Sequence, residues 1–159
     1  MSVSDILDAG KAKGLLITTA ESCTGGMVAA ALTDVAGSSA VFERGFVTYT
    51  NRAKQELLGV RAATLDACGA VSEEVALEMA EGALARTPAQ VSVSTTGIAG
   101  PGGSEFKPEG RVCFALAMTG RKSFSETVDF GAQGRAAVRA KARDHALGLL
   151  YGAVSQTDQ

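Results

Sequence analysis

This chain of 159 residues predicts an α/β layer fold in a single domain. Helix-period apolar stripes alternate with β-branched runs through the first two-thirds, so three strands are joined through helices. Two further β-rich runs flank the polar turn TGRKS and read as an antiparallel hairpin. A hydrophobic content of 46% at this length fills one core and falls short of two.

Each element has its own signal. Ser2 or Ser4 caps a first helix to about Lys13, with Ile6 and Leu7 as its apolar face and Gly14 as its stop. LLITTAESCTGG, residues 15–26, joins an apolar run to a polar tetrad and a glycine pair, which reads as strand, tight turn and helix start. The helix covers 27–35 and AGSS turns the chain. RGFVTYT, 44–50, is a second strand with its polar end at Tyr49 and Thr50, and Asn51 caps the short helix NRAKQELL, ended by Gly59. From Leu65 a loop leads to Ser72, which caps a helix to about Arg86 with Glu73 and Glu74 in its first turn and Val75, Met79 and Ala83 on its buried stripe. QVSVSTT, 90–96, is a third strand, and the Gly/Pro-rich loop 97–110 follows. The hairpin strands cover 111–118 and 124–130, and a last helix runs from about 134 to 154 into a polar tail.

Bulk properties exclude several functions. With 15 Lys and Arg against 17 Asp and Glu, no electrostatic footprint for nucleic acid or an acidic membrane is present, so an anionic ligand needs a local cluster of donors. Cys23, Cys68 and Cys113 are dispersed and odd in number, which argues against a disulfide framework and a thiolate zinc site. No run approaches bilayer length and no basic segment leads into a signal core, so a soluble, cytoplasmic protein is expected. The single histidine, His145, falls on or beside the apolar stripe of the last helix, where packing is its role. A Ser/His/Asp system and metal hydrolysis are therefore disfavoured, and no metal or organic cofactor is called for.

The chemistry that remains gathers on the first turn. Ser22, Cys23 and Thr24 precede a helix start whose free amides and positive dipole end favour an anion or a developing oxyanion, and Gly25-Gly26 lets a ligand approach the backbone. The plainer reading makes Ser22 or Thr24 an N-cap. Lys54 sits in the first turn of a helix, where the dipole disfavours a cation and pushes the amine toward the neutral form a general base needs. Its plainer reading is a solvated lysine. Together they suggest a serine hydrolase using lysine: Ser22 as nucleophile, Lys54 as base, and Tyr49 as a hydroxyl able to relay a proton. Amides at Gly25-Gly26 or along Gly97, Gly100 and Gly103 would form the oxyanion hole, with Thr96 as an added hydroxyl. The loop is neither a P-loop nor a dinucleotide fingerprint; Glu105, Lys107 and Glu109 read as a solvated tip, or Lys107 reaches an anionic ligand. Arg135, Arg139 and Arg143 form a basic ridge that is solvated or supplies a phosphate site.

TTAESCTGG, ERGFVTYTNRAKQELLGV, GAVSEEVALEMAEGAL, and STTGIAGPGG followed by KPEGRV resemble the C-terminal domain family of the competence/damage-inducible protein CinA, from about Leu15 to Leu150. The resemblance implies a three-layer α/β/α sandwich with a mixed five-stranded sheet, and a Ser/Lys amidohydrolase converting nicotinamide mononucleotide to nicotinic acid mononucleotide and ammonia. By position it assigns the family serine to Ser22, the lysine to Lys54 and the motif tyrosine to Tyr49. Many relatives read G-D-R followed by a second arginine four positions on. Here GAQGR keeps Arg135 and Arg139 but lacks the aspartate. The rivals are a non-catalytic nucleotide-binding or interaction module and an amidase for another small amide. A homo-oligomer is compatible with either.

Overall fold

A capping box opens the chain: the Ser2 hydroxyl accepts from the Asp5 amide while the Asp5 carboxylate accepts from the Ser2 amide, and Gly14 closes α1 (Val3–Lys13) in the left-handed conformation. The computed structural model describes residues 1–104 and 106–156; Glu105 and the end of the expected tail, 157–159, lie outside them. The elements that follow are β1 (Ile17–Glu21), α2 (Met27–Thr33), β2 (Phe42–Val47), α3 (Asn51–Leu58), α4 (Ala62–Cys68), α5 (Glu73–Ala85), β3 (Val91–Gly97), β4 (Arg111–Met118), β5 (Phe124–Asp129) and α6 (Arg135–Ser155).

The sheet order is β2-β1-β3-β4-β5, with β2, β1 and β3 parallel and β3, β4 and β5 antiparallel. Helices α1, α2 and α6 bury Ile6, Leu32, Val138 and Leu150 against Ile17, Val93 and Phe114. On the opposite face α3, α4 and α5 bury Leu58, Leu65, Val75 and Met79 around Ala20, while Ala76 and Ala80 pack on Cys113 and Ala115. These are the three layers and the mixed five-stranded sheet that the family resemblance implies.

Several boundaries differ from the sequence reading. β2 starts at Phe42 because a bulge between Ile17 and Thr18 lets it pair two residues earlier, and it ends at Val47, after which the chain turns away from the sheet. The cap of α3 is Thr50, whose hydroxyl accepts from the Ala53 amide at 3.1 Å; Asn51 is its first residue. α4 replaces the expected loop. No polar residue caps it in its own sequence; instead its leading Arg61 amide donates to Glu78 on α5 at 2.9 Å, a partner supplied only by folding. His145 packs against Phe114 and Phe130 and meets Glu126, as its position on the stripe suggests.

The topology places the site. From β1 the chain leaves through α2 on one face, and from β2 it leaves through α3 to α5 on the other, so a crevice opens beyond the carboxyl ends of the parallel strands. The tight seam under this crevice is sensitive to one methyl group. A Cβ at Gly82 on α5 would lie 1.9 Å from the Leu58 carbonyl oxygen at the end of α3. Gly82→Ala is expected to lower stability by about 3 kcal/mol, read as an earlier midpoint in urea unfolding at an unchanged slope.

Candidate active site

Three connections converge on the crevice. The turn after β1 carries Ser22, Cys23 and Thr24; the segment after β2 carries Thr48, Tyr49 and, one helical turn on, Lys54; and β3 leads through Thr96 and Gly97 into the glycine-rich loop. The pocket they form has a volume of about 370 Å³, within the range of about 300–1,000 Å³ typical of small-molecule sites. Among the described lining residues the charged side chains are Lys54 and Arg135, both cationic.

Ser22 and Lys54, remote in sequence, meet at its floor. Lys54 Nζ lies 2.9 Å from Ser22 Oγ, 3.1 Å from the Thr48 carbonyl and 3.4 Å from the Tyr49 carbonyl. Its side chain belongs to the largest buried groups of the molecule, with 1% of its surface exposed. No carboxylate is among these partners, and burial lowers the amine from 10.5 to about 8, with the nearby Cys23 sulfur opposing the shift. The cause thus differs from the sequence argument, which invoked the helix field; removal from water does most of the work. A neutral amine fits the geometry well. It donates two protons to the two carbonyls and accepts the Ser22 hydroxyl proton in its lone pair. Arg52, the other cation of that first turn, is exposed and pairs with Glu56 at 2.7 Å.

The turn itself is wired differently from expectation. Neither Ser22 nor Thr24 caps α2, and its capping residue, Gly26, has no side chain. The buried carboxylate of Glu21 does the capping, accepting from the amides of Gly26 (3.2 Å), Val28 (2.9 Å) and Ala29 (3.0 Å). The Gly25 amide donates to the Ser22 carbonyl at 3.0 Å. Gly25 and Gly26 therefore offer no free amide for an oxyanion. Among the described residues no acceptor within the chain meets the amides of Ala99 and Gly100, which line the pocket. Gly100 has φ +97°, and a Cβ there would fall 1.8 Å from Glu109 Oε1. Glu21 escaped the sequence reading, although an acid at a strand end before a Gly-Gly helix start is a legible sign of a cap supplied from upstream.

The remaining candidates divide. Tyr49 sends its carbonyl toward Lys54, while its hydroxyl, on a side chain 56% exposed, accepts from Arg135, which also donates to the Gly100 carbonyl. Arg139 points elsewhere on α6, donating to the Cys23 carbonyl at 3.1 Å and approaching the Thr24 carbonyl at 3.5 Å, so it braces the turn from behind. Lys107 donates to the carbonyls of Cys68 and Val71, and lines a neighbouring recess rather than this pocket. Thr96 lines the pocket while its hydroxyl donates to the Ala70 carbonyl at 2.8 Å. Cys23 is buried and its thiol is pushed up to about 11, chiefly by burial, so it is a poor nucleophile at neutral pH. Among the described residues no group of three or more His, Cys, Asp or Glu side chains gathers as metal ligands would, and no helix is long and apolar enough to cross a membrane.

The fold and the pocket together define an α/β/α domain with a buried serine-lysine pair at the carboxyl edge of its parallel strands. The chain belongs to the CinA C-terminal domain family, which matches residues 2–154. It is 54% identical over 142 residues to the nicotinamide-nucleotide amidohydrolase PncC of Escherichia coli (strain K12), covering 89% of this chain and 86% of that protein. A CinA-like protein of Chlorobium phaeobacteroides is 61% identical over 107 residues, 67% of this chain, but the match spans only 26% of that longer protein. The crystal structure of a competence/damage inducible protein from Agrobacterium tumefaciens superposes with a TM-score of 0.93 at 46% identity, covering 97% of this chain and 93% of that one.

Proposed function

We propose that this chain is an amidohydrolase that converts nicotinamide mononucleotide to nicotinic acid mononucleotide and ammonia, with Ser22 as nucleophile and Lys54 as its base. The observation that carries the reading is the 2.9 Å contact between the Ser22 hydroxyl and the buried Lys54 amine on the floor of a cationic pocket. The identity to PncC amidohydrolases over most of both chains supports the substrate. Ser22 Oγ attacks the carboxamide carbon as its proton passes to Lys54 Nζ, and the amides of Ala99 and Gly100 face the developing oxyanion. Lys54 then returns the proton to the departing nitrogen, which leaves as ammonia. Water, deprotonated by the same amine, cleaves the acyl ester and frees Ser22. The Tyr49 hydroxyl accepts from Arg135 and keeps its own proton to donate, so a proton relay through it is compatible with that contact. A cytoplasmic location fits the three free thiols.

Arg135 is the group placed to meet a substrate phosphate. Ammonia release measured with nicotinamide mononucleotide, nicotinamide riboside and nicotinamide should favour the mononucleotide, and Arg135→Ala should raise its KM about 10- to 100-fold while leaving the riboside unchanged. Tight binding of the mononucleotide without ammonia would favour a binding module instead. Turnover of the riboside or nicotinamide in preference would point to another amide.

A further inference from the structure

The turn that carries Ser22 fixes most of its own backbone. The Ser22 amide donates to the Thr95 carbonyl at 2.9 Å, continuing the pairing of β1 with β3. The Ser22 carbonyl accepts from the Gly25 amide at 3.0 Å, and the Thr24 carbonyl from the Met27 amide at 3.0 Å. The Cys23 carbonyl is left out of this pattern. Among the described residues no backbone amide reaches it, and its donor is Arg139 Nε at 3.1 Å, with Arg139 Nη2 3.5 Å from the Thr24 carbonyl. One peptide of the nucleophile turn is thus held by a side chain 116 residues further along the chain.

The surroundings of this guanidinium assign it to the turn and not to a ligand. Arg139 does not line the pocket, whereas Arg135 does. It is half-buried, and among the described residues no carboxylate pairs with it. Gly25 makes room for it: the backbone there has φ +58°, and a Cβ would lie 3.2 Å from Arg139 Nη2. The first glycine of the pair therefore admits a guanidinium behind the turn, where the sequence suggested space for a ligand in front of it.

Helix α6 gives the contact a fixed reference. One helical turn before Arg139, about 6 Å along the axis, Arg135 donates to the Gly100 carbonyl at 2.9 Å. The same helix is thereby clamped to the loop that carries the oxyanion amides and to the turn that carries the nucleophile. We propose that Arg139 is a positioning residue: through the Cys23 carbonyl it sets the turn against α6, and so the placement of Ser22 Oγ relative to the amides of Ala99 and Gly100. The inference rests on the reading of Ser22 as nucleophile. Arg139 touches neither substrate nor a reacting atom. Without the guanidinium the Cys23 carbonyl loses its donor and the peptide behind Ser22 is free to rotate, and a misplacement of about 1 Å at a reacting group costs about 10²-fold in rate. A phosphate contact at Arg139 would act differently, raising KM and doing so only for a substrate that carries a phosphate.

The test measures kcat and KM of Arg139→Ala with nicotinamide mononucleotide and with nicotinamide riboside, which has no phosphate, in the presence and absence of dilute guanidinium chloride. With both substrates kcat is expected to fall about 10- to 100-fold while KM stays within about threefold. Guanidinium ion can enter the space left by the side chain and donate to the Cys23 carbonyl. Well below its unfolding range it should raise kcat about tenfold, and sodium chloride at the same ionic strength should not. A fold loosened by the substitution responds in the opposite sense, because guanidinium destabilises it further. Absence of rescue therefore overturns the proposal even where kcat has fallen. A raised KM for the mononucleotide beside an unchanged riboside reaction also overturns it and assigns Arg139 to the phosphate. Should Arg139→Ala fail to fold, Arg139→Met keeps an unbranched side chain along the helix, and the same fall in kcat with both substrates at constant KM decides. Ser22→Ala separates the two levels: full activity there defeats the nucleophile reading, whereas a dead Ser22→Ala beside parent-like Arg139→Ala defeats this inference alone.

Discussion

Ser22→Ala is expected to reduce ammonia release from nicotinamide mononucleotide by about 10³-fold or more while the protein keeps its fold. Ser22 is 7% exposed and the substitution removes no packing atoms beyond one oxygen, so circular dichroism and the melting transition should stay close to the parent. The amine of Lys54 retains both carbonyl partners in the variant. Cys23→Ser, by contrast, should retain most activity, because the thiol there is protonated at neutral pH. Activity surviving in Ser22→Ala and vanishing in Cys23→Ser would transfer the nucleophile to the thiol.

Lys54 carries the second large effect. A base held at about 8 is mostly protonated at pH 7, so kcat/KM should rise about tenfold per pH unit below the midpoint and level off above it. Lys54→Met should lose activity about 10²- to 10⁴-fold, and Lys54→Arg should fare no better, since a guanidinium stays charged and cannot accept the serine proton. A flat profile between pH 6 and 9 would remove Lys54 from the role of base. The same depression has a stability consequence with a definite sign. Between about 8 and 10.5 the unfolded lysine binds a proton that the folded one has released, so stability rises with pH across that window. Below it the buried charge costs up to about 3 kcal/mol, and Lys54→Met removes this cost together with its pH dependence. Urea unfolding of parent and variant at pH 7 and pH 10 measures the difference.

Local patterns made most of the fold legible. Ser2 and Gly14 bracket α1 by their own backbone preferences, Ser72 with two acids behind it starts α5, and the alternation of Val with Ser and Thr marks β3. The failures share a cause. The cap of α4 comes from Glu78 and that of α2 from Glu21, side chains that local reading assigns to other elements. The basic ridge on α6 also misled. Successive i, i+4 positions rotate around the helix, which sends Arg135 into the pocket, Arg139 behind the turn and Arg143 to Asp144.

Sequence alone determined the residue types: a serine on a glycine-flanked turn after a strand, a lysine at a helix start, and the alternation that makes the layers. Those are local matters, set by backbone preference and apolar periodicity within a few residues. Only the tertiary structure decided that the lysine is buried, that its partners are carbonyls and a hydroxyl without a carboxylate, and that a glutamate has taken the helix amides the turn was expected to leave free. A depressed amine pKa arises from exclusion of water, and water is excluded only where strands and helices distant in sequence close over the same atom.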